Sequence, residues 1–195
     1  MKITTLLIIR HGQTDWNIAG KIQGHADVPL NETRQHQALK VASFLKEKNI
    51  LLSALYSSDL QRAHQTAQSI SQVFSLDIKT TPLLREQHGG LWQGKTKQQI
   101  AELHGAQDAI WEIVPGGETR ADFLNRIVNH IALIAQNHPD ESVAVVTHAG
   151  AIKNFLTHWK YDNNQWPSIT NTAIVTVKYY HADEPHIELI SIECP

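Results

Sequence analysis

Arg10-His11-Gly12 closes the apolar run Leu7-Ile8-Ile9, so a permanent cation and an imidazole meet where the backbone must change direction. Gly12 permits a turn there, or the close approach of a ligand. His148-Ala149-Gly150 ends the apolar stretch Val143-Ala144-Val145-Val146 in the same manner. Arg62 falls in the first turn of a helix pattern that follows another strand, and Glu86 stands in the irregular segment Leu84-Arg85-Glu86-Gln87-His88-Gly89-Gly90. Two guanidinium forks, with His148 as a further donor if protonated, suit the oxygens of a phosphoryl group. A neutral ring nitrogen of His11 could then attack phosphorus, while the arginines discourage its protonation and steady charge on the transferring group. One carboxyl group can serve twice, first protonating the leaving alkoxide and then taking a proton from water. Glu86 is the candidate, because most other carboxylates fall on helix faces where solvation explains them. The plain alternative for Arg10-His11 is an ordinary strand end with an exposed basic pair.

The elements that must position these groups are legible as alternating periodicities. Ile3 to Ile9 reads as a first strand, and a polar loop follows from Asp15 to Asn31. Ala38, Val41, Ala42 and Leu45 predict a helix over about Glu32 to Lys48. Leu51 to Tyr56 is a second strand, with Ser57-Ser58-Asp59 as a capping cluster for a helix that carries Leu60, Ala63, Ala67 and Ile70. A short strand at Leu76 to Lys79, a short helix from Lys97 to Leu103 and a long amphipathic helix through Ala121, Leu124, Ile127, Val128 and Ile131 come next. Ser142 to Thr147 is a buried strand, and Thr172 to Tyr179 and His186 to Ile192 are expected at the sheet margin. Alternating strands and helices predict an α/β layered fold with parallel central strands and helices on both faces. Ligands gather at the carboxyl ends of such strands, where Arg10-His11, Ser57-Ser58 and His148 all fall.

Composition narrows the partners. The 195 residues carry 17 Lys and Arg against 19 Asp and Glu, a formal charge of -2, with no long basic run to neutralise a nucleic-acid backbone. A single domain over residues 1–195 is expected, with a lid-like insertion at about 88–118. Cys194 is the only cysteine, so neither an internal disulfide nor a thiolate zinc site can form within one chain, and a cytoplasmic setting fits. No apolar run approaches the roughly 20 residues that a bilayer span needs, so no membrane partner is expected. The 12 histidines include no metal-binding spacing such as His-Glu-x-x-His, and no metal is expected. His25 and His88 lie near the site loops, where loop histidine is the simpler explanation. Trp16 and Trp92 could wall a pocket or simply pack, and Trp111, Trp159 and Trp166 read as core or lid packing. Ser57 and Ser58 lack a nucleophile elbow, and Gly116-Gly117 is not followed by the Lys-Ser or Lys-Thr of a P-loop.

In their order along the chain the motifs resemble the histidine phosphatase superfamily, which contains the cofactor-dependent phosphoglycerate mutases and many small phosphatases. The resemblance rests on the run Arg10 to Asn17, on Gln23-Gly24-His25-Ala26-Asp27-Val28-Pro29-Leu30, and on the run Tyr56 to Ala67. Glu86, Pro115-Gly116-Gly117-Glu118 and Val146-Thr147-His148 complete it. It implies a three-layer α/β/α sandwich on a mixed, mostly parallel six-stranded sheet, with no cofactor. It also implies that His11 is phosphorylated, that Arg10, Arg62 and His148 form the phosphate pocket, and that Glu86 donates the proton. Asn17, Thr14, Gln23, Gly24, Lys97 and Ala149 are the further phosphate and substrate contacts that it suggests.

Departures from the family pattern bear on substrate. Arg34 replaces a usual glycine, Ala149 stands where many members carry glycine, and Gly89 replaces an aromatic residue, which should widen the wall near Glu86. Gln87 and Gly89 occupy positions where mutases hold phosphoglycerate with an arginine and a tyrosine, and the paired arginines before Pro115 are missing. Lys97 alone matches a mutase substrate lysine. Weaker retention of the intermediate favours its hydrolysis over transfer, so a phosphatase for a small phosphorylated metabolite is expected, with an acid-to-neutral optimum. The alternatives are a mutase and a non-catalytic module that binds a phosphorylated ligand. A homodimer stays open, because dimer faces and core faces look alike in one sequence.

Overall fold

Alternation along the central strands decides the architecture. The computed structural model describes residues 1–31, 35–104, 114–161 and 168–195. Arg34, Trp111, Trp166 and the expected helix start at Glu32 lie outside them. Strands β1 (Lys2–Arg10), β2 (Ala54–Ser58), β3 (Ile78–Thr81), β4 (Ser142–Thr147), β5 (Ile174–His181) and β6 (His186–Glu193) form one sheet in the order β3-β2-β4-β1-β5-β6. The pairs β1 with β4, β2 with β4 and β2 with β3 are parallel, and β5 runs antiparallel to both β1 and β6. Leu6, Ile8, Val143 and Val145 point into one core and Leu7, Ile9, Ala144 and Val146 into the other, as a period of two requires.

Helices cover both faces. Core residues of α5 (Arg120–Gln136) and α6 (Ala149–His158), among them Phe123, Ile127, Ile131, Ile152 and Phe155, pack on the first face. Those of α2 (Gln35–Glu47) and α3 (Gln61–Phe74), among them Val41, Leu45, Ala63 and Ile70, pack on the second. The short helices α1 (Asp15–Ile18) and α4 (Lys97–His104) lie outside these layers. Within the expected insertion, Trp92, Ile100 and Val114 make a small core of their own with Ile22 against it, so Trp92 packs rather than walls the pocket. Among the described residues no helix is long and apolar enough to cross a membrane.

Three expectations change, and one helix is added. β5 pairs with β1 from Lys2↔His181 to Ile9↔Ile174, which makes it interior, and the margins belong to β3 and β6. Part of the polar loop after β1 is helical: Thr14 and Asn17 form a reciprocal capping box that starts α1. The segment after Gly150 is α6, with Ala151, Ile152, Phe155 and Leu156 buried at helical spacing. Ser57-Ser58-Asp59 does not supply a side-chain cap to α3, whose N-cap is Leu60. The Asp27 carboxylate does that work from the preceding loop, accepting from Gln61 N at 2.7 Å and from Gln61 Nε2 at 3.0 Å.

Parallel pairing brings chemistry to one edge. The register sets Arg10 opposite Thr147 and Ser57 opposite Val146, so the carboxyl ends of β1, β2 and β4 lie side by side. Ile8 sits fully buried in the middle of that arrangement. We expect Ile8→Ala to cost roughly 2–5 kcal/mol, seen as a lower urea midpoint with an unchanged slope.

Candidate active site

His11 leaves β1 fully enclosed and tautomerically fixed. Its Nδ1 lies 2.7 Å from the carbonyl oxygen of Gly12, an acceptor only, so Nδ1 carries the proton and Nε2 keeps its lone pair. Burial, and after it the charges of Arg62 and Arg10, hold the ring well below the ordinary value of 6.5 and therefore neutral. The loop around it is pinned by long-range bonds. Asn171 Nδ2 donates to the carbonyls of His11 and Gly12, both at 3.1 Å, and Gly12 N donates to Thr66 Oγ1 at 3.0 Å.

The arginines, Arg62 buried and Arg10 half-buried, donate to carbonyl oxygens. Arg62 gives Nη1 to Ala26 O at 2.8 Å and Nη2 to Gly24 O at 2.7 Å, and its Nε points to His148 Nδ1 at 3.3 Å. Arg10 gives Nη1 to Ile169 O at 2.7 Å. Desolvation lowers Arg62 to about 10, with Glu86 acting in the opposite sense, which leaves the guanidinium charged at neutral pH. His148 is also held well below 6.5, first by burial and then by Arg62. Since its Nδ1 accepts from Arg62, its Nε2 carries the proton toward Ser58 Oγ at 3.0 Å. It is therefore a neutral ring that orients Arg62 and stands 5.1 Å from the His11 ring centroid.

Two amides are aimed by Thr14, through its backbone N–H and its hydroxyl. Thr14 Oγ1 lies 3.1 Å from Asn17 Oδ1 and 3.0 Å from Gln23 Oε1. Asn17 Oδ1 also accepts from Thr14 N and from Asn171 Nδ2, which turns the amide NH₂ of Asn17 outward as a donor. Thr14 itself is fully buried and does not line the cavity.

Glu86 is held by backbone donors. Oε2 accepts from Gly150 N at 2.8 Å and Oε1 from Gln87 N at 3.0 Å. Gly150 is required for that approach, since a Cβ there would lie 2.2 Å from Glu86 Oε1. The Glu86 carbonyl receives Arg126 Nη2 at 3.2 Å and lies 2.8 Å from His25 Nε2, so His25 braces the loop and packs edge-on against His88. Arg126 in turn makes a two-point ion pair with Glu118, at 2.8 and 2.7 Å.

These groups surround one cavity of about 610 Å³. Arg10, His11, Arg62, Glu86 and His148 line it, as do Asn17, Gln23, Gly24, Lys97 and Ala149. Lys21, Arg120, Lys153 and Asn154 line it too and were not singled out from sequence. The last two lie on the helix that the periodicity reading passed over, although the Ile152-Phe155-Leu156 spacing could have revealed it. Gly89 does not simply open the wall: a Cβ there would stand 2.9 Å from Gln93 Cγ and 3.2 Å from Ile22 Cγ2, so neighbouring side chains occupy the space. Among the described residues no group of three or more His, Cys, Asp or Glu could hold a metal ion.

A sequence profile of the histidine phosphatase superfamily (branch 1) matches residues 6–192. The chain belongs to that superfamily. It is 33% identical over 193 residues to phosphoglycerate mutase-like protein 4 of Arabidopsis thaliana, covering 94% of this chain and 83% of that protein. Identity to the glucosyl-3-phosphoglycerate phosphatase of Mycobacterium tuberculosis is 37% over 166 residues, or 78% of this chain and 73% of the relative. A solved mycobacterial glucosyl-3-phosphoglycerate phosphatase, in complex with VO₃, aligns with a TM-score of 0.81 at 30% identity, covering 96% of this chain and 97% of that one.

The two buried histidines carry a stability consequence. Both folded-state values lie below 6.5, so the unfolded chain takes up more protons on acidification. Their contribution is intact above 6.5 and is lost as pH falls below it. In an NMR titration the His11 and His148 imidazole resonances should stay in the neutral position through pH 6, while urea unfolding becomes easier as pH drops below 6.5.

Proposed function

We propose that this member of the superfamily hydrolyses small phosphomonoesters through a phosphohistidine on His11. The supporting observation is a neutral imidazole with its Nδ1 proton committed to Gly12 O and, among the described residues, no partner on its other nitrogen, in a cavity lined by Arg10, Arg62 and, of the described carboxylates, Glu86 alone. Nε2 attacks phosphorus as the ester P–O bond breaks, and Glu86 protonates the departing alkoxide. Water then attacks the phosphohistidine, the Glu86 carboxylate takes its proton, and the P–N bond breaks to release inorganic phosphate and neutral His11. Arg10 and Arg62 stabilise charge on the equatorial oxygens, and the outward amides of Asn17 and Gln23 add donors. His148 acts through Arg62 and as a wall beside His11.

Relatives named as phosphatases support this reading over phosphoryl transfer, as do Gln87 and Gly89 where mutases hold phosphoglycerate. The single exposed cysteine, Cys194, is consistent with a reducing, cytoplasmic setting.

A denaturing alkaline quench during turnover of a radiolabelled ester should trap a base-stable, acid-labile phosphoprotein in the wild type and none in His11→Ala. Glu86→Gln should lower kcat about 10²–10⁴-fold for alkyl phosphates, and less for p-nitrophenyl phosphate, whose leaving group needs little protonation. Because His11 stays neutral below 6.5, the acid limb of kcat/KM should fall below that value. Efficient interconversion of phosphoglycerate isomers with little free phosphate would favour the mutase instead.

A further inference from the structure

Charge in the cavity is far out of proportion to one phosphate. Of the chain's 17 lysines and arginines, Arg10, Lys21, Arg62, Lys97, Arg120 and Lys153 line this single space, and Glu86 is the only carboxylate beside them among the described residues. The six cations fall in two layers. Arg10 and Arg62 are at the floor with His11, whereas Lys21, Lys97, Arg120 and Lys153 are exposed side chains contributed by four separate segments.

A phosphomonoester brings a charge of about -1.5 to -2 at neutral pH, which the two floor arginines match. The three outer lysines are then in excess. Lys21, Lys97 and Lys153 make no ion pair among the described residues. Lys21 lies 5.9 Å from the Trp16 ring centroid, a contact that leaves its charge uncompensated by any carboxylate. Lys153 projects from the first half of α6, the helix whose Gly150 N–H holds Glu86, so it shares the rigid element that sets the proton donor. The cavity also exceeds what a phosphate fills, with room for an organic portion reaching toward these ammonium groups.

We infer that the substrate carries a second anionic group on its organic portion, and that Lys21 and Lys153, beside Lys97, hold it. The inference rests on the phosphatase reading of the floor and assigns the cations at the mouth to specificity. A carboxylate and a second phosphate share the required chemistry.

Matched substrates separate these sources. Phosphoserine differs from phosphoethanolamine by a carboxylate, and ethylene glycol bisphosphate differs from its monophosphate by a phosphate. We expect kcat/KM of the wild type to be about tenfold or more higher for the anion-bearing member of at least one pair, and that pair identifies the group. High salt should reduce the ratio. In Lys21→Met/Lys153→Met the same ratio should drop about fivefold or more; as a ratio it is insensitive to any loss common to both substrates. Failure of the wild type to hydrolyse p-nitrophenyl phosphate would overturn the phosphatase reading itself. Hydrolysis with ratios near one in both pairs would overturn the second anion, and a ratio preserved in the double variant would overturn its assignment to these lysines.

Discussion

Two guanidinium groups, one buried and one half-buried, are held here on carbonyl oxygens, and the rest of the site depends on that choice. Pairing Arg62 with carboxylates would have cancelled its charge; Gly24 O and Ala26 O satisfy its N–H groups and leave the charge in place. Arg10 on Ile169 O follows the same rule. Such an arrangement is costly in the free protein, because uncompensated charge has left water. A phosphoryl dianion removes the cost by supplying the missing charge. The cost is also what keeps His11 neutral, since desolvation and the two cations act on its ring in the same direction. Binding and nucleophile activation are thus two results of one electrostatic condition, stabilised from outside by the apolar cores on either face of the sheet.

Glu86, the proposed proton carrier, is held differently. It shares the cavity with those cations and, among the described residues, makes no ion pair with them. Its oxygens are fixed instead on Gly150 N and Gln87 N, and its carbonyl is braced by Arg126 and His25. Arg85, next in sequence, is drawn away to Asp59 by a two-point ion pair at 2.7 and 2.6 Å. The half-exposed charges around the loop are therefore paired with each other, and the loop's rigidity comes from several elements at once.

What was legible in the sequence and what was not divides along range. Apolar runs ending in Arg10-His11-Gly12 and His148-Ala149-Gly150 reveal themselves locally, and parallel strands must put such ends together. The α/β class, the long helix beginning near Arg120 and the boundaries of β4 follow from periodicity of the same local kind. Asp27 capping a helix 34 residues on, Asn171 clamping the His11-Gly12 turn, and Gly150 making room for Glu86 involve partners chosen by tertiary proximity. No window of sequence contains both members of those pairs. Thr14 illustrates the middle ground: its position beside the motif was visible, but only the hydrogen bonds show it facing away from the cavity to aim two amides into it.

Separation of the cations into layers bears on why hydrolysis, not transfer, is the expected fate of the phosphohistidine. A mutase must keep the dephosphorylated organic acid in place long enough to reorient and be rephosphorylated, so its contacts to that acid must persist through the intermediate. On the proposed reading the floor arginines would stay with a phosphoryl group on His11, and contacts to the organic product would fall to the exposed lysines that line the cavity. Ammonium groups on flexible stems in high-dielectric surroundings attract an anion well and retain it poorly. Such a mouth can select the substrate on arrival and still release the alcohol before it recaptures the phosphoryl group. On that reading water would then meet the P–N bond with the Glu86 carboxylate in the same cavity to receive its proton.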